Sequence, residues 1–236
     1  MRNLAIIPAR GGSKRIPRKN IKNFLEKPII SYPINTARNC QLFDRVIVST
    51  DDEEIAELSK RLGAEVPFLR SSKNSDDFAT TVDVLLEVIE NVKQQGGSFD
   101  SICCIYPTAP FVTPEKLNQG LSLMLKNNFE AVFPVLEYSF PIQRAVRLEK
   151  SYRMRLLEPD HINSRSQDLE PTYHDAGQFY WIKTQALLKH KKLWVPNTGC
   201  IIVDELEAQD IDTHSDWTMA EIKYKLMMDD RQDNTF

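Results

Sequence analysis

A chain of 236 residues with 42% hydrophobic side chains has the material for one large α/β domain with a small appendage, and its core is easily built. Charged residues make up 27% of it but leave a net charge of only −3, which argues against a protein that coats nucleic acid. No run approaches the roughly 20 apolar residues of a membrane helix, no leader-like segment opens the chain, and Cys40, Cys103, Cys104 and Cys200 lack Cys-x-x-Cys spacing. The expectation is a cytoplasmic protein with reduced, mostly buried thiols and no membrane partner.

The predicted elements alternate. Asn3 to Pro8 reads as a buried strand, and Ala9-Arg10-Gly11-Gly12-Ser13-Lys14-Arg15-Ile16-Pro17-Arg18-Lys19-Asn20 follows it. Seven Lys or Arg fall between Met1 and Leu25 without one acid; the first acid is Glu26. Ile29 to Asn39 reads as a helix with Ile30, Ile34 and Ala37 on one face. Arg45 to Thr50 is a β-branched strand ending in Asp51-Asp52, and Glu53 to Leu62 is a helix closed by Gly63. Val66 to Leu69 reads as a brief strand. Ala79 to Gln95 is a long helix, opened by Thr80 or Thr81 and followed by Gly96-Gly97. Ser101 to Tyr106 is a strand stopped by Pro107; Pro114 to Asn127 is a helix with proline in its first turn; Ala131 to Leu136 is a strand. Arg144 to Leu148 and Tyr152 to Leu156 alternate like a hairpin, and a long polar stretch, Glu158 to Ala176, follows. The α/β rhythm resumes with a strand at Gln178 to Ile182, a helix at Thr184 to His190, a strand at Cys200 to Val203 and a final helix from Ser215 to about Met228. The tail from Asp229 to Phe236 reads as polar and frayed.

Strands alternating with helices of this length predict βαβ units and a mostly parallel sheet covered on both faces. Ligands of such sheets sit beyond the carboxyl ends of the strands. The opening loop, Thr50-Asp51-Asp52 and Tyr106-Pro107-Thr108-Ala109-Pro110 all fall there.

The opening loop lacks the spacing of a P-loop and of a dinucleotide fingerprint. Gly11-Gly12 would let backbone amides approach an anion closely, and Arg10, Lys14 and Lys19 can surround a polyphosphate. The competing reading is a solvated basic loop; the position at the end of the first strand favours phosphate. Asp210 and Asp212, two apart on an extended segment, face the same way and can converge on one hard cation such as magnesium. The competing reading makes Asp212 or Thr213 a helix cap, with Asp216 completing a capping box. Beside a cationic phosphate loop the metal reading is preferred. Neighbouring Asp51 and Asp52 diverge, and capping of the next helix is expected of one of them.

Ala-Arg-x-x-Ser-Lys-x-x-Pro-x-Lys-Asn after a first strand resembles the CMP-sialic acid synthetases, the cytidylyltransferases of nine-carbon acidic sugars. Val46 to Asp51, the segment with Arg70, Asp77, Ala79 and Thr81, Pro107-Thr108-Ala109-Pro110 and Asp210-Ile211-Asp212-Thr213 resemble further motifs of that family, in the family's order. The resemblance covers nearly the whole chain. It implies a single Rossmann-like nucleotidyltransferase domain over 1–236, with 138–177 as a dimerisation and acceptor-sugar insertion, a homodimer, and magnesium at Asp210 and Asp212. It implies that Arg10, Lys14 and Lys19 hold the triphosphate of CTP. Ala9, Gly11, Gly12, Ser13, Asn20, Arg70, Ala79, Thr81, Tyr106 and Thr108 complete the nucleotide site. The family's glutamine before Pro-Thr is Tyr106 here, which can stack on the base or donate one bond but cannot reproduce a two-sided amide contact.

His174-Asp175-Ala176-Gly177-Gln178-Phe179-Tyr180-Trp181, with Ser139 to Ala145, resembles the pseudaminic acid branch of these enzymes. That implies an acceptor site of Gln143, Arg165, Gln167, His174, Asp175 and Gln178, with Arg165 on the sugar carboxylate. Of Phe179, Tyr180 and Trp181, at least one is expected in the strand core. The reaction implied is attack of the anomeric hydroxyl on the α-phosphorus, with pyrophosphate leaving in line. The sequence singles out no general base. The rival readings are the N-acetylneuraminic or legionaminic acid enzyme, a nucleotidyltransferase for another base, and a non-catalytic nucleotide-binding module.

Overall fold

The computed structural model describes residues 1–76 and 78–233, without the side chains of 230–233. Asp77 and residues 234–236 of the expected frayed tail lie outside the described residues. In chain order the elements are β1 (Asn3–Pro8), β2 (Asn23–Phe24), β3 (Lys27–Pro28), α1 (Ser31–Asn39), β4 (Arg45–Ser49), α2 (Glu53–Arg61), α3 (Thr81–Gln94), β5 (Ser101–Ile105), α4 (Pro114–Lys126) and β6 (Ala131–Glu137). There follow β7 (Val146–Leu148), β8 (Met154–Leu156), β9 (Tyr173–Asp175), β10 (Phe179–Lys183), α5 (Thr184–His190), β11 (Thr198–Ile202) and α6 (His214–Asp233).

One seven-stranded sheet runs β11-β6-β10-β5-β1-β4, with β9 also paired to β6. β4 and β5 flank β1 in parallel, and β11 is parallel to β6. β10 lies antiparallel between β5 and β6, and β9 is antiparallel to β6. β1, β4, β5, β6 and β11 therefore point one way, and β9 and β10 point the other. This makes the sheet mostly parallel, but it also delivers the amino end of β10 to the same edge as the carboxyl ends of β1 and β5.

The helices form where local chemistry satisfies their open ends. Asp52 caps α2 by accepting from the amide of Ile55 at 3.0 Å. Thr80 and Asp83 form a capping box at α3, so the helix starts at Thr81 and not at Ala79. Thr113 caps α4 ahead of Pro114. Side chains alternate across β1: Ala5 and Ile7 join Ile30, Ile34 and Leu117 on one face, while Leu4 and Ile6 join Leu85, Val88 and Leu187 on the other. Helices cover both faces of the sheet, as the pattern predicts.

Four expectations need correction. Val66 to Leu69 is not a strand; only Glu65 bridges Ile47, because Pro67 follows at once and cannot donate to a ladder. β9, inside the stretch read as irregular, is a strand, too short to show a period. α1 starts at Ser31, two residues late. α6 continues to Asp233 through the stretch read as a frayed tail.

A third cluster lies beyond the sheet edge. Ile16, Phe24, Ile29 and Phe111 pack with Ile211, Trp217, Ala220 and Met227. The ring of Phe24 meets those of Tyr32, Trp217 and Tyr224 edge-on, at centroid distances of 5.5, 5.7 and 5.6 Å. Buried side chains of this size stabilise by about 1.5–3 kcal/mol each. The cluster ties the loop after β1 to the segment leading into α6, which are separated by nearly the whole sequence.

Candidate active site

The loop after β1 is shaped by acids that follow β4. The amide of Gly11 donates to Asp51 Oδ1 at 3.0 Å. Arg18, in a left-handed conformation at φ 56°, forks onto Asp52 and Glu54. The Asp52 carboxyl is held below its ordinary range, chiefly by this guanidinium, and the Arg18 guanidinium is held above its own. Asn20 is buried and donates to the carbonyl of Arg10 at 2.9 Å. The Gly11 amide and the Asn20 side chain thus hold the loop in shape. Gly11 is glycine for a further reason: a Cβ there would stand 2.6 Å from Asp52 Oδ2, whereas a Cβ on Gly12 would meet nothing within 4 Å. Of the two neighbouring acids, Asp52 caps the helix as expected, and Asp51 anchors the loop.

The loop so fixed presents Arg10, Lys14, Arg15 and Lys19 to a cavity of about 330 Å³. Tyr106 and Thr108 from the end of β5 line it, as do Asp210 and Asp212. Lys19 Nζ donates to the carbonyl of Ile211 at 2.6 Å and lies 3.6 Å from Asp212 Oδ1. Arg15 pairs with the same Asp212 oxygen at 2.7 Å. Arg15 was not singled out by sequence; its place beside Lys14 was the only signal. Thr213 and Asp216 exchange the bonds of a capping box at the start of α6. The capping reading therefore holds for Thr213, and the carboxylate of Asp212 has no part in the cap.

Asp210 is half-buried, and its carboxyl is pushed up, first by burial and then by the charge of Asp212. A carboxylate whose ionisation is opposed by a neighbouring carboxylate forms with it a donor set that a hard dication would neutralise. No group of three or more His, Cys, Asp or Glu is arranged for a metal among the described residues. A cation held here would take most of its ligands from phosphate and water, which suits magnesium.

A second cleft of about 260 Å³ adjoins the first, sharing Pro8, Arg10 and Tyr106, and is lined by Arg70, Ala79 and Thr81. Arg70 is buried and donates to the hydroxyl and carbonyl of Ser49, with Nε 3.1 Å from Ser49 Oγ. Burial holds its guanidinium below its ordinary range. The amide of Ala79 donates to Asp76 Oδ1 at 2.8 Å. The ring of Tyr106 lies 5.3 Å from that of Tyr180, and burial pushes the ionisation of Tyr106 up.

The structure does not gather the six acceptor-sugar candidates into these clefts. Arg165 forks onto Asp168 at 2.7 and 3.0 Å on an exposed turn. The side chain of Gln143 donates to the carbonyl of Glu170 at 3.1 Å. Gln167 lines a separate cavity of about 330 Å³ with Glu137, Tyr138 and Pro171. The His174 ring lies 4.8 Å from that of Tyr138. Asp175 accepts from the Tyr180 hydroxyl at 2.6 Å and from the Gly177 amide at 2.8 Å. Gln178 is buried and donates to the carbonyl of Glu207 at 2.6 Å. Phe179, Tyr180 and Trp181 are all core residues.

Residues 4–191 match the family model described as cytidylyltransferase. The chain is 42% identical over 226 residues to a pseudaminic acid cytidylyltransferase of Campylobacter jejuni, covering 96% of this chain and 97% of that protein. It is 30% identical over 228 residues to a CMP-N,N'-diacetyllegionaminic acid synthase of Legionella pneumophila, covering 94% and 95%. Among solved structures, a CMP:2-keto-3-deoxy-manno-octonic acid synthetase complexed with CTP superposes with a TM-score of 0.70 at 16% identity, over 97% of this chain and 100% of that one. This last likeness concerns the fold, a Rossmann-like nucleotidyltransferase architecture.

Proposed function

The chain belongs to the cytidylyltransferase family, and from that premise we propose that it transfers CMP from CTP to the anomeric hydroxyl of pseudaminic acid, releasing pyrophosphate. The observation that carries the reading is a cationic loop facing two carboxylates across one cavity, in a chain matched over nearly its full length by a pseudaminic acid cytidylyltransferase. Arg10, Lys14 and Lys19 bind the triphosphate, and Lys14 and Arg10 stabilise the charge that builds on the departing pyrophosphate. Ala9, Ser13, Thr108 and the open backbone at Gly12 flank the phosphates. The base occupies the adjoining cleft of Arg70, Ala79, Thr81 and Tyr106. Holding the sugar hydroxyl and the α-phosphorus in line supplies much of the remaining rate.

Asp210 and Asp212 would hold magnesium, which when bound neutralises phosphate charge. Arg15 and Lys19 pair with Asp212, so a cation held there would compete with these ion pairs. Arg165, Gln143 and Gln167 belong to a lobe whose exposed side chains include Phe140, Leu148, Tyr152 and Met154. Large apolar side chains left open in this number support pairing with a second copy of the chain. A homodimer brings the lobe of one copy toward the cleft of the other, which explains why these acceptor residues stand apart within one chain. Leu148→Glu should leave a monomer by light scattering; a wild-type monomer removes the dimer from the reading. A cytoplasmic enzyme accords with the lack, among the described residues, of any helix long and apolar enough to cross a membrane.

The test is a panel of pseudaminic, legionaminic and N-acetylneuraminic acids with CTP and magnesium, read by product mass. CMP-pseudaminic acid as the main product supports the reading. Preference for another acid moves the substrate, and no product from any acid favours a non-catalytic binding module.

A further inference from the structure

Asp210 and Asp212 can converge on one point only while the backbone between them stays extended. Residues 208–212 belong to no strand, and among the described residues no sheet ladder holds them. Their backbone groups are met by side chains instead. Gln178 Nε2 donates to the carbonyl of Glu207 at 2.6 Å, Lys223 Nζ to that of Ala208 at 3.1 Å and Lys19 Nζ to that of Ile211 at 2.6 Å. Asp216 Oδ2 accepts from the amide of Asp212 at 3.0 Å.

Glu207, at the head of this segment, is gripped twice. Gln178 holds its carbonyl, and Lys116 Nζ stands 3.3 Å from its carboxylate. Lys116 is buried, and the same ammonium donates to the carbonyl of Phe111 at 3.3 Å. A buried ammonium is costly unless it is paired, so Lys116 resists any movement of Glu207 away from it. From the other side, the turn before β10 lies against the first acid: a Cβ on Gly177 would stand 3.9 Å from Asp210 Oδ1. Gln178, next in the chain, is 2% exposed with its amide oxygen buried, which closes that side chain to a sugar. Lys116 and Glu207 line a separate cavity of about 490 Å³, and neither lines the phosphate cavity.

We propose that Lys116 and Gln178 are positioning residues that act through Glu207, holding residues 207–212 in the extended form that brings the Asp210 and Asp212 carboxylates to one divalent cation. Neither touches the cation or the nucleotide. The proposal rests on the reading of Asp210 and Asp212 as cation ligands given above. It moves Gln178 from the acceptor-sugar site, where sequence put it, to the support of the metal pair. It also gives a role to Lys116, a buried charge that the sequence did not single out.

Binding of Mn²⁺ in the presence of CTP and without sugar, followed by water-proton relaxation against a blank of Mn²⁺ and CTP alone, tests it. Groups that orient metal ligands are worth about tenfold or more in metal affinity, so Lys116→Met and Gln178→Leu should each weaken Mn²⁺ binding by about tenfold. Loss of a positive charge would by itself raise cation affinity, so a fall in Lys116→Met marks lost positioning and not lost charge. Lys116→Arg, which can still pair with Glu207, should retain most of the affinity. Glu207→Gln serves if the buried variants do not fold, and it should weaken binding to the same degree. Val88→Ala, in the core on the sheet, should lower the melting temperature without moving Mn²⁺ affinity. Unchanged affinity in folded Lys116→Met and Gln178→Leu overturns the positioning role, and so does an equal loss in Val88→Ala. Wild type that binds no Mn²⁺ beyond the blank, or binds it as well after Asp212→Asn, overturns the metal reading itself.

Discussion

The two adjacent glycines of the opening loop should respond to the same substitution in different ways. In Gly11→Ala the new methyl falls 2.6 Å from Asp52 Oδ2 and 3.0 Å from Asp52 Cβ. These distances cannot persist, so Asp52 must move. That carboxylate is both the cap of α2 and a partner of Arg18. Loss of an N-cap costs about 0.5–2 kcal/mol. The Arg18 fork, partly exposed and screened, adds about 0–1 kcal/mol. A total near 2 kcal/mol in a chain of this size corresponds to a fall in melting temperature of about 4–8 °C. Gly12→Ala has open space around it and a backbone any residue can adopt. It should change stability by no more than about 0.5 kcal/mol, or raise it slightly by restricting the unfolded chain. Urea and thermal unfolding of the two variants, followed by circular dichroism, measure the difference. Equal stability of Gly11→Ala and wild type, or equal losses in both variants, would refute the argument that Gly11 is dictated by its contact with Asp52.

The other predictions concern charge. Lys14→Ala should lower kcat/KM for CTP by about 10²–10³-fold with an unchanged melting curve; near-normal turnover would sink the assignment of the loop. Asp212→Asn should raise the magnesium concentration needed for half-maximal activity, and an unchanged metal response rejects the pair as the metal site. Because the folded Asp52 carboxyl lies below its unfolded value, its contribution to stability is complete above about pH 4 and is lost as pH falls further. Asp52→Asn should therefore flatten the acid side of the stability profile measured by urea unfolding, and a profile of unchanged slope would contradict the Arg18 pairing.

The architecture was legible because it rests on local signals. β1, β4 and β5 are dense apolar runs, and α3 and α4 announce themselves by Thr80 or Thr81 and by Pro114. The cationic loop and the Asp210–Asp212 pair were legible as well, because their chemistry is concentrated in a few residues. Strand direction was not. Gln178 to Ile182 reads as a strand, but periodicity is the same run forward or backward, and the reversal of β10 is what brings Tyr180 beside Tyr106. The bonds that Asp51 and Asn20 make within the loop were hidden for a related reason. Each acts on a partner that only the folded chain brings near, and a polar side chain that braces a loop looks in sequence like one that binds a ligand. The six acceptor candidates are separated in space because their motif lies partly on the lobe between β6 and β9 and partly on β9 and the start of β10.

The packing of Ile16 and Phe24 against Ile211 and Trp217 has a consequence for how the site is assembled. Lys19 and Ile211, which meet across it, are 192 residues apart in the sequence. The loop therefore gains the wall that sets its shape, and the acids that balance its charge, only through contacts of very long range, which close late because loop-closure entropy must be met first. Local opening of the α6 side would release both at once, so the cationic loop and its counter-charges form one cooperative unit.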